Sequence, residues 1–75
     1  MEPEKTFKAG AVQAAIWANQ GAHGSFRTVQ LTRSYKDASG TWKQSSTLRA
    51  ADLPRASLVL SKAYEYLSMG ESEAP

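Results

Sequence analysis

Ser34-Tyr35-Lys36-Asp37-Ala38-Ser39-Gly40-Thr41-Trp42-Lys43 reads as a tight turn between two strands, each carrying an aromatic beside a cation. Asp37 is placed to fold its carboxylate back onto the turn backbone, and Gly40 to take the positive φ that closes such a loop. Tyr35, Lys36, Trp42 and Lys43 then occupy neighbouring positions at one end of a sheet. Flat π-faces beside ammonium and guanidinium groups suit single-stranded nucleic acid, whose bases stack and whose phosphates need neutralising.

Upstream of the turn, Phe26 to Lys36 alternates Val29, Leu31 and Tyr35 with Thr28, Gln30, Thr32 and Ser34, the period of a strand with one covered face. Phe7 to Asn19 alternates in the same way, with Val12, Ala14, Ile16 and Ala18 against Gln13, Ala15, Trp17 and Asn19. Gly10 splits it into a short first strand and a longer second one. Gln20 to Ser25 is a connecting turn with two glycines. Downstream, Thr41 to Ala50 returns antiparallel.

The last element is a helix, with Asp52 as N-cap, Leu53 and Pro54 in the first turn and Gly70 just past the end. Leu53, Ala56, Leu60, Ala63 and Leu67 form the stripe expected to face the sheet. Leu58, Val59 and Tyr66 fall outside that stripe, which marks them either as scattered exposed apolars or as the contact with a second copy of the helix. The fold class is α+β: a curved four-stranded antiparallel sheet followed by one C-terminal helix, ββββα.

Seventy-five residues make one domain. Residues 1–5 and 69–75 read as flexible acidic tails, leaving 6–68 as the binding domain. A body of about sixty residues is marginal for a single core. With no cysteine to supply a disulfide or a thiolate-bound metal, a homodimer through the helices is the expected source of further burial. The body is more basic than the net charge of +2, because four of seven acids (Glu2, Glu4, Glu71, Glu73) lie in the tails. From Thr6 to Gly70, eight Lys and Arg meet three acids, a net of about +5 that favours polyanionic partners.

No apolar run is long enough for a membrane span, and Met1-Glu2-Pro3-Glu4 does not resemble a signal peptide. The expected location is cytoplasmic, nucleoid-associated in a prokaryote. An enzyme is not expected. The single histidine, His23, sits in a Gly-rich turn, and Asp37 and Asp52 have turn and cap duties, so no carboxylate pair is free for acid–base work. One His and no Cys exclude a familiar zinc site, and no cofactor or small-molecule substrate is expected.

The order of these features is similar to the single-stranded-DNA-binding domain of the transcriptional coactivator positive cofactor four, a whirly-type fold with small bacterial and archaeal relatives. Phe7-Lys8-Ala9-Gly10 resembles the family's opening Phe-x-x-Gly. Leu31 to Gly40 resembles its polar-aromatic strand running into an Asp-x-x-Gly turn, Lys43 its basic residue early in the next strand, and Asp52-Leu53-Pro54 its Asn-Pro helix start. The resemblance spans Phe7 to Leu67. It implies helices that build a symmetric dimer and single strands that run over the exposed sheets. By position it assigns Tyr35 to base stacking and Lys43 to the DNA channel, with Trp17 in the strand of a second family aromatic. Thr32 stands where the family often has Arg, and the serine-rich acidic extension of the eukaryotic members is absent.

The expected interface is therefore Lys8, Trp17, Arg27, Arg33, Tyr35, Lys36, Trp42, Lys43 and Arg49. Trp17 and Trp42 have core packing as their alternative role, and Arg27, Arg33 and Arg49 have protection of strand edges. The expected function is sequence-tolerant binding of single-stranded DNA, with RNA as a further partner, in transcription, replication or repair. The alternative is a dimeric protein–protein interaction module with no nucleic-acid role.

Overall fold

Alternating side chains and three glycine-assisted hairpins build one sheet. The structure, a computed structural model, describes residues 2–69. Strands β1 (Lys5–Ala9), β2 (Val12–Gly21), β3 (Gly24–Lys36) and β4 (Trp42–Ser45) lie in the order β1-β2-β3-β4, each antiparallel to the next. A short 3₁₀ turn (Ala50–Asp52) leads into helix α1 (Leu53–Met69), which lies across β1 and β2. The α+β, ββββα fold read from the sequence is the fold observed.

Directly opposed residues share a face, so the registers assign every strand position. Ala9, Val12 and Arg33 lie in one row, Phe7, Ala14 and Leu31 in the next, and Lys5, Ile16 and Val29 in a third. This is the face under α1. Val12, Ile16 and Val59 are fully buried there with Ala14, Ala56 and Ala63, and Phe7, Ala9, Leu31, Leu48, Tyr66 and Leu67 close the margins. Burying each large aliphatic contributes roughly 1.5–3 kcal/mol. Half of the six buried core residues are alanines, so the core is lean.

The Asp37 turn forms as its sequence dictates. Asp37 Oδ1 accepts the backbone N–H groups of Ser39 (2.9 Å) and Thr41 (3.0 Å), and Gly40 takes φ +86°. Gly10 turns β1 into β2 at φ +62°, with the Arg55 guanidinium packed where a side chain would otherwise stand.

Four local expectations are corrected. The β2–β3 loop is only Ala22-His23, because both strands continue to the opposed pair Gly21 and Gly24. β4 stops at Ser45 rather than Ala50: the Ser45 hydroxyl accepts the Thr47 N–H at 3.0 Å, which turns the chain toward the helix. Asp52 does not cap α1 but closes the preceding 3₁₀ turn, accepting the Arg49 N–H at 2.8 Å. The fourth concerns the N-terminal segment, which is tied down from Glu4 onward. Its N–H donates to Ile16 O at 2.7 Å, Lys5 already belongs to β1, and its carboxylate accepts the Tyr66 hydroxyl at 2.7 Å. Gly70 and the acidic residues of the C-terminal tail lie outside the described residues.

Of the helix stripe expected to face the sheet, Ala56, Ala63 and Leu67 do so, but its centre is shifted. Val59 is 2 % exposed in the protomer's own core, and Tyr66 packs edge-on against Phe7 with ring centroids 6.2 Å apart. Neither is free to meet a second copy as expected. Leu53 and Leu60, assigned to the sheet, are exposed instead, while Leu58 is exposed as expected. The stripe turns because Phe7, on β1, draws Tyr66 over the first strand.

Candidate nucleic-acid interface

The sheet's second face is open. Its rows are Trp42 with Lys36, Gln44 with Ser34, then Thr32 with Gln13 and Lys8, and Gln30 with Ala15 and Thr6. Thr28 with Trp17 and Phe26 with Asn19 complete it toward the β2–β3 loop. No acid occupies any of these positions. Lys8 on β1 and Gln44 on β4, the two outer strands, line one shallow concavity with Ser34, Trp42 and Lys43, so the open face is concave.

The registers divide the expected site between the two faces. Lys8, Trp17, Lys36 and Trp42 are on the open face; Arg27, Arg33, Tyr35 and Lys43 share the parity of the helix-covered face. Arg49 lies beyond β4 in the segment that leads to the helix. The turn does bring Tyr35, Lys36, Trp42 and Lys43 to one end of the sheet, but it opposes Tyr35 to Lys43 and Lys36 to Trp42, one pair on each side. No bulge intervenes in the β3–β4 register to exchange these sides.

Charge pairing follows the same division. Arg27 lies 2.9 Å from Glu4, Arg33 and Arg49 at 3.4 and 3.6 Å from Asp52, and Lys43 at 3.4 Å from Asp37. All three carboxyls are held below the usual carboxylate range. For Glu4 the Tyr66 hydroxyl is the main cause, with Arg27 adding to it. For Asp37 it is the Ser39 hydroxyl, then the Thr41 N–H. Asp52 is lowered mainly by the Arg49 N–H, then by the charges of Arg49 and Arg33. Lys8 and Lys36 make no ion pair with any described residue. Lys36 Nζ instead sits 5.4 Å from the Trp42 ring centroid, and Trp42 is 65 % exposed.

Trp17 is held across the sheet by its indole N–H, which donates to Gln30 Oε1 at 3.3 Å. Asn19 braces the same end, donating to Thr28 Oγ1 at 3.1 Å and to Trp17 O at 3.2 Å. Phe26, not among the expected site residues, joins Trp17 here. It is 52 % exposed, and its ring lies over Gly21, filling the space where a side chain would stand. The signal for it was an aromatic at the polar parity of β3, in step with Thr28, Gln30 and Thr32.

Such a surface offers π-faces, two unpaired ammonium groups and side-chain amides, and no acid to repel a polyanion. Among the described residues no cluster of His, Cys, Asp or Glu fits a metal ion, and no helix is long and apolar enough to cross a membrane. No family model, no curated protein and no solved structure matches the chain.

Proposed function

We propose that this chain binds single-stranded nucleic acid, with DNA as the first partner to test, on the open face of its sheet. The observation that carries the reading is the make-up of the open face: it holds the rings of Trp17, Phe26 and Trp42, the lysines Lys8 and Lys36 that make no ion pair with any described residue, and no acid. Arg27, Arg33, Arg49 and Lys43, in contrast, each face a carboxylate. Bases stack on the aromatics at roughly 1–3 kcal/mol each, and each lysine that meets a phosphate adds about 0.7 to the salt slope. Contacts of this kind tolerate most sequences. The resemblance to the positive cofactor four domain supports the same reading, with the stacking role moved from Tyr35 to Trp42 and with Lys8 and Lys36 added to Lys43, which lines the same concavity as Lys8. The test is fluorescence anisotropy of a labelled oligothymidine at two salt concentrations beside a matched duplex. Salt-sensitive binding that prefers the single strand supports the proposal, and absence of binding at low salt refutes it.

The homodimer belongs to the same proposal, with a revised contact. Leu53, Leu60 and Tyr64 are 55, 41 and 71 % exposed and fall within roughly 40° of one another around the helix. Ser57 and Ser61 beside them are small enough for a second helix to approach closely. The lean core gives a second copy apolar surface to add. Sedimentation should show a dimer that Leu60→Glu with Tyr64→Glu dissociates; a wild-type monomer at micromolar concentration would remove this part of the proposal. The same flank is the surface that an interaction module without a nucleic-acid role would use, so strand binding, not dimerisation, separates the two functions.

A further inference from the structure

The aromatics of the open face are not spread evenly. Trp42 stands at one end, opposed to Lys36, and Trp17 and Phe26 stand at the other, opposed to Thr28 and Asn19. The rows between them contain no ring, only Ser34, Gln44, Thr32, Gln13, Gln30 and Ala15, with Lys8 and Thr6 from β1. Thr28 and Lys36 are eight residues apart on one strand, which separates the two aromatic ends by about 26 Å.

The centre of these rows is closed: Ala15 and Thr32 are 4 and 7 % exposed and the Thr32 hydroxyl is covered by its neighbours. A strand crossing there meets the polar side chains of Gln30, Gln44 and Ser34 but no ring on which a base can stack. The two ends differ mechanically as well. β1 pairs with β2 only as far as Ile16, and β4 reaches β3 only from Arg33 onward. Trp17 and Phe26 therefore sit on a two-stranded arm, tied to the rest of the protein at its base by the Arg27–Glu4 ion pair, and a two-stranded ribbon twists more than a four-stranded body. Both lysines of the face lie on the body's half.

We infer that the protein grips a single strand at two separate stacking stations, Trp42 on the body and Trp17 with Phe26 on the arm, and leaves the nucleotides between them unstacked, their phosphates passing Lys8. The inference rests on the single-strand reading above and adds to it a length requirement. A strand too short to span the stations uses one of them; a longer strand closes the second contact intramolecularly, at the effective concentration set by the intervening nucleotides. The 26 Å gap corresponds to about eight nucleotides at the 3.4 Å spacing of a stacked strand, and to fewer as the strand stretches.

The experiment compares three labelled oligothymidines of about twelve nucleotides, titrated with the full chain. One is intact, one lacks the bases of its central nucleotides, and one lacks the bases at both ends. The central lesion should leave affinity within about twofold. The end lesions should lower it by the loss of one stack, about 5- to 150-fold. A length series of intact oligomers should rise in one step, and Trp17→Ala, with its fold checked by circular dichroism, should abolish that step while short oligomers bind as before. Equal losses from central and end lesions, or a smooth rise with length, would overturn the two-station grip while leaving single-strand binding in place. Failure of the intact oligomer to bind at low salt would overturn both.

Discussion

Arg33 and Lys36 are three residues apart on β3 and live in different electrostatic worlds. The Arg33 side chain is 14 % exposed and lies 3.4 Å from Asp52, while its Nε also donates to Thr47 O at 3.1 Å. Lys36, on the opposite face, has only the Trp42 ring beside it. A carboxylate facing a guanidinium cancels its field and fixes its geometry, so Arg33 helps to anchor the segment between β4 and the helix. An ammonium group over an exposed indole keeps both its charge and a π-face for an incoming ligand. The count of basic residues on a small domain thus says little about polyanion binding until each cation is matched with its nearest acid.

The widest contrast between the faces is expected between Ile16 on β2 and Trp42 on β4. Ile16, fully buried under the helix, should cost about 2–5 kcal/mol of folding stability when replaced by alanine. On the open side, Trp42→Ala should leave stability within about 0.5 kcal/mol, as for an ordinary surface site. Urea unfolding of both variants measures this. A Trp42→Ala protein as unstable as Ile16→Ala would mean that the open face is itself covered by something structural.

Binding should show the reverse order. Trp42→Ala is expected to weaken single-strand affinity by roughly 1–3 kcal/mol, whereas Tyr35→Ala, on the covered parity beside Arg33, should change it little. Anisotropy with oligothymidine compares the two directly. If Tyr35→Ala were the more damaging change, the strand would run over the β4 edge rather than across the open face.

Those two side chains also mark how far the sequence can be read. The Asp37 turn, the strand alternation and the single C-terminal helix were legible because each depends on local chemistry: a carboxylate within reach of two N–H groups, a period of two, a proline in a first turn. The side of the sheet that Tyr35 occupies was legible too, in the alternation of β3 itself. Val29 and Leu31 share the parity of Tyr35, and that parity points under the helix, so the polar neighbours Ser34 and Lys36 were the misleading signal. By contrast, Val59 belonged to the core because Phe7 pulls Tyr66 toward β1, which turns the helix stripe by a contact fifty-nine residues away in sequence. The pairing of cations was hidden for the same reason: Glu4 reaches Arg27 and Tyr66 only after the chain has folded.

A smaller effect should separate the charges. Lys36→Ala is expected to lower the slope of log affinity against log salt by about 0.7, the share of one phosphate on a single strand. Arg27→Ala, which removes a partner of Glu4 on the other face, should leave the slope unchanged. Equal slope changes from both variants would show that the strand wraps around the sheet edge and meets both faces.

The mildest test uses acid. Glu4, Asp37 and Asp52 all have carboxyls lowered in the fold by hydrogen bonds and neighbouring cations. A group depressed in this way contributes stability above its unfolded value, near pH 4, and that contribution disappears as pH falls through the lower folded value. Unfolding midpoints should therefore hold from neutral pH to about pH 5 and drop below pH 4. Asp52→Asn should flatten that drop, since its amide cannot regain a charge to lose. Lys8 and Lys36 are paired with none of these carboxyls. The salt slope of single-strand binding at pH 5 should then match the slope at pH 7, because acid first reaches the face that the strand does not touch. A slope that steepened on acidification would instead mean that arginines released from Glu4 or Asp52 were joining the interface, and the two faces would no longer be separable in function.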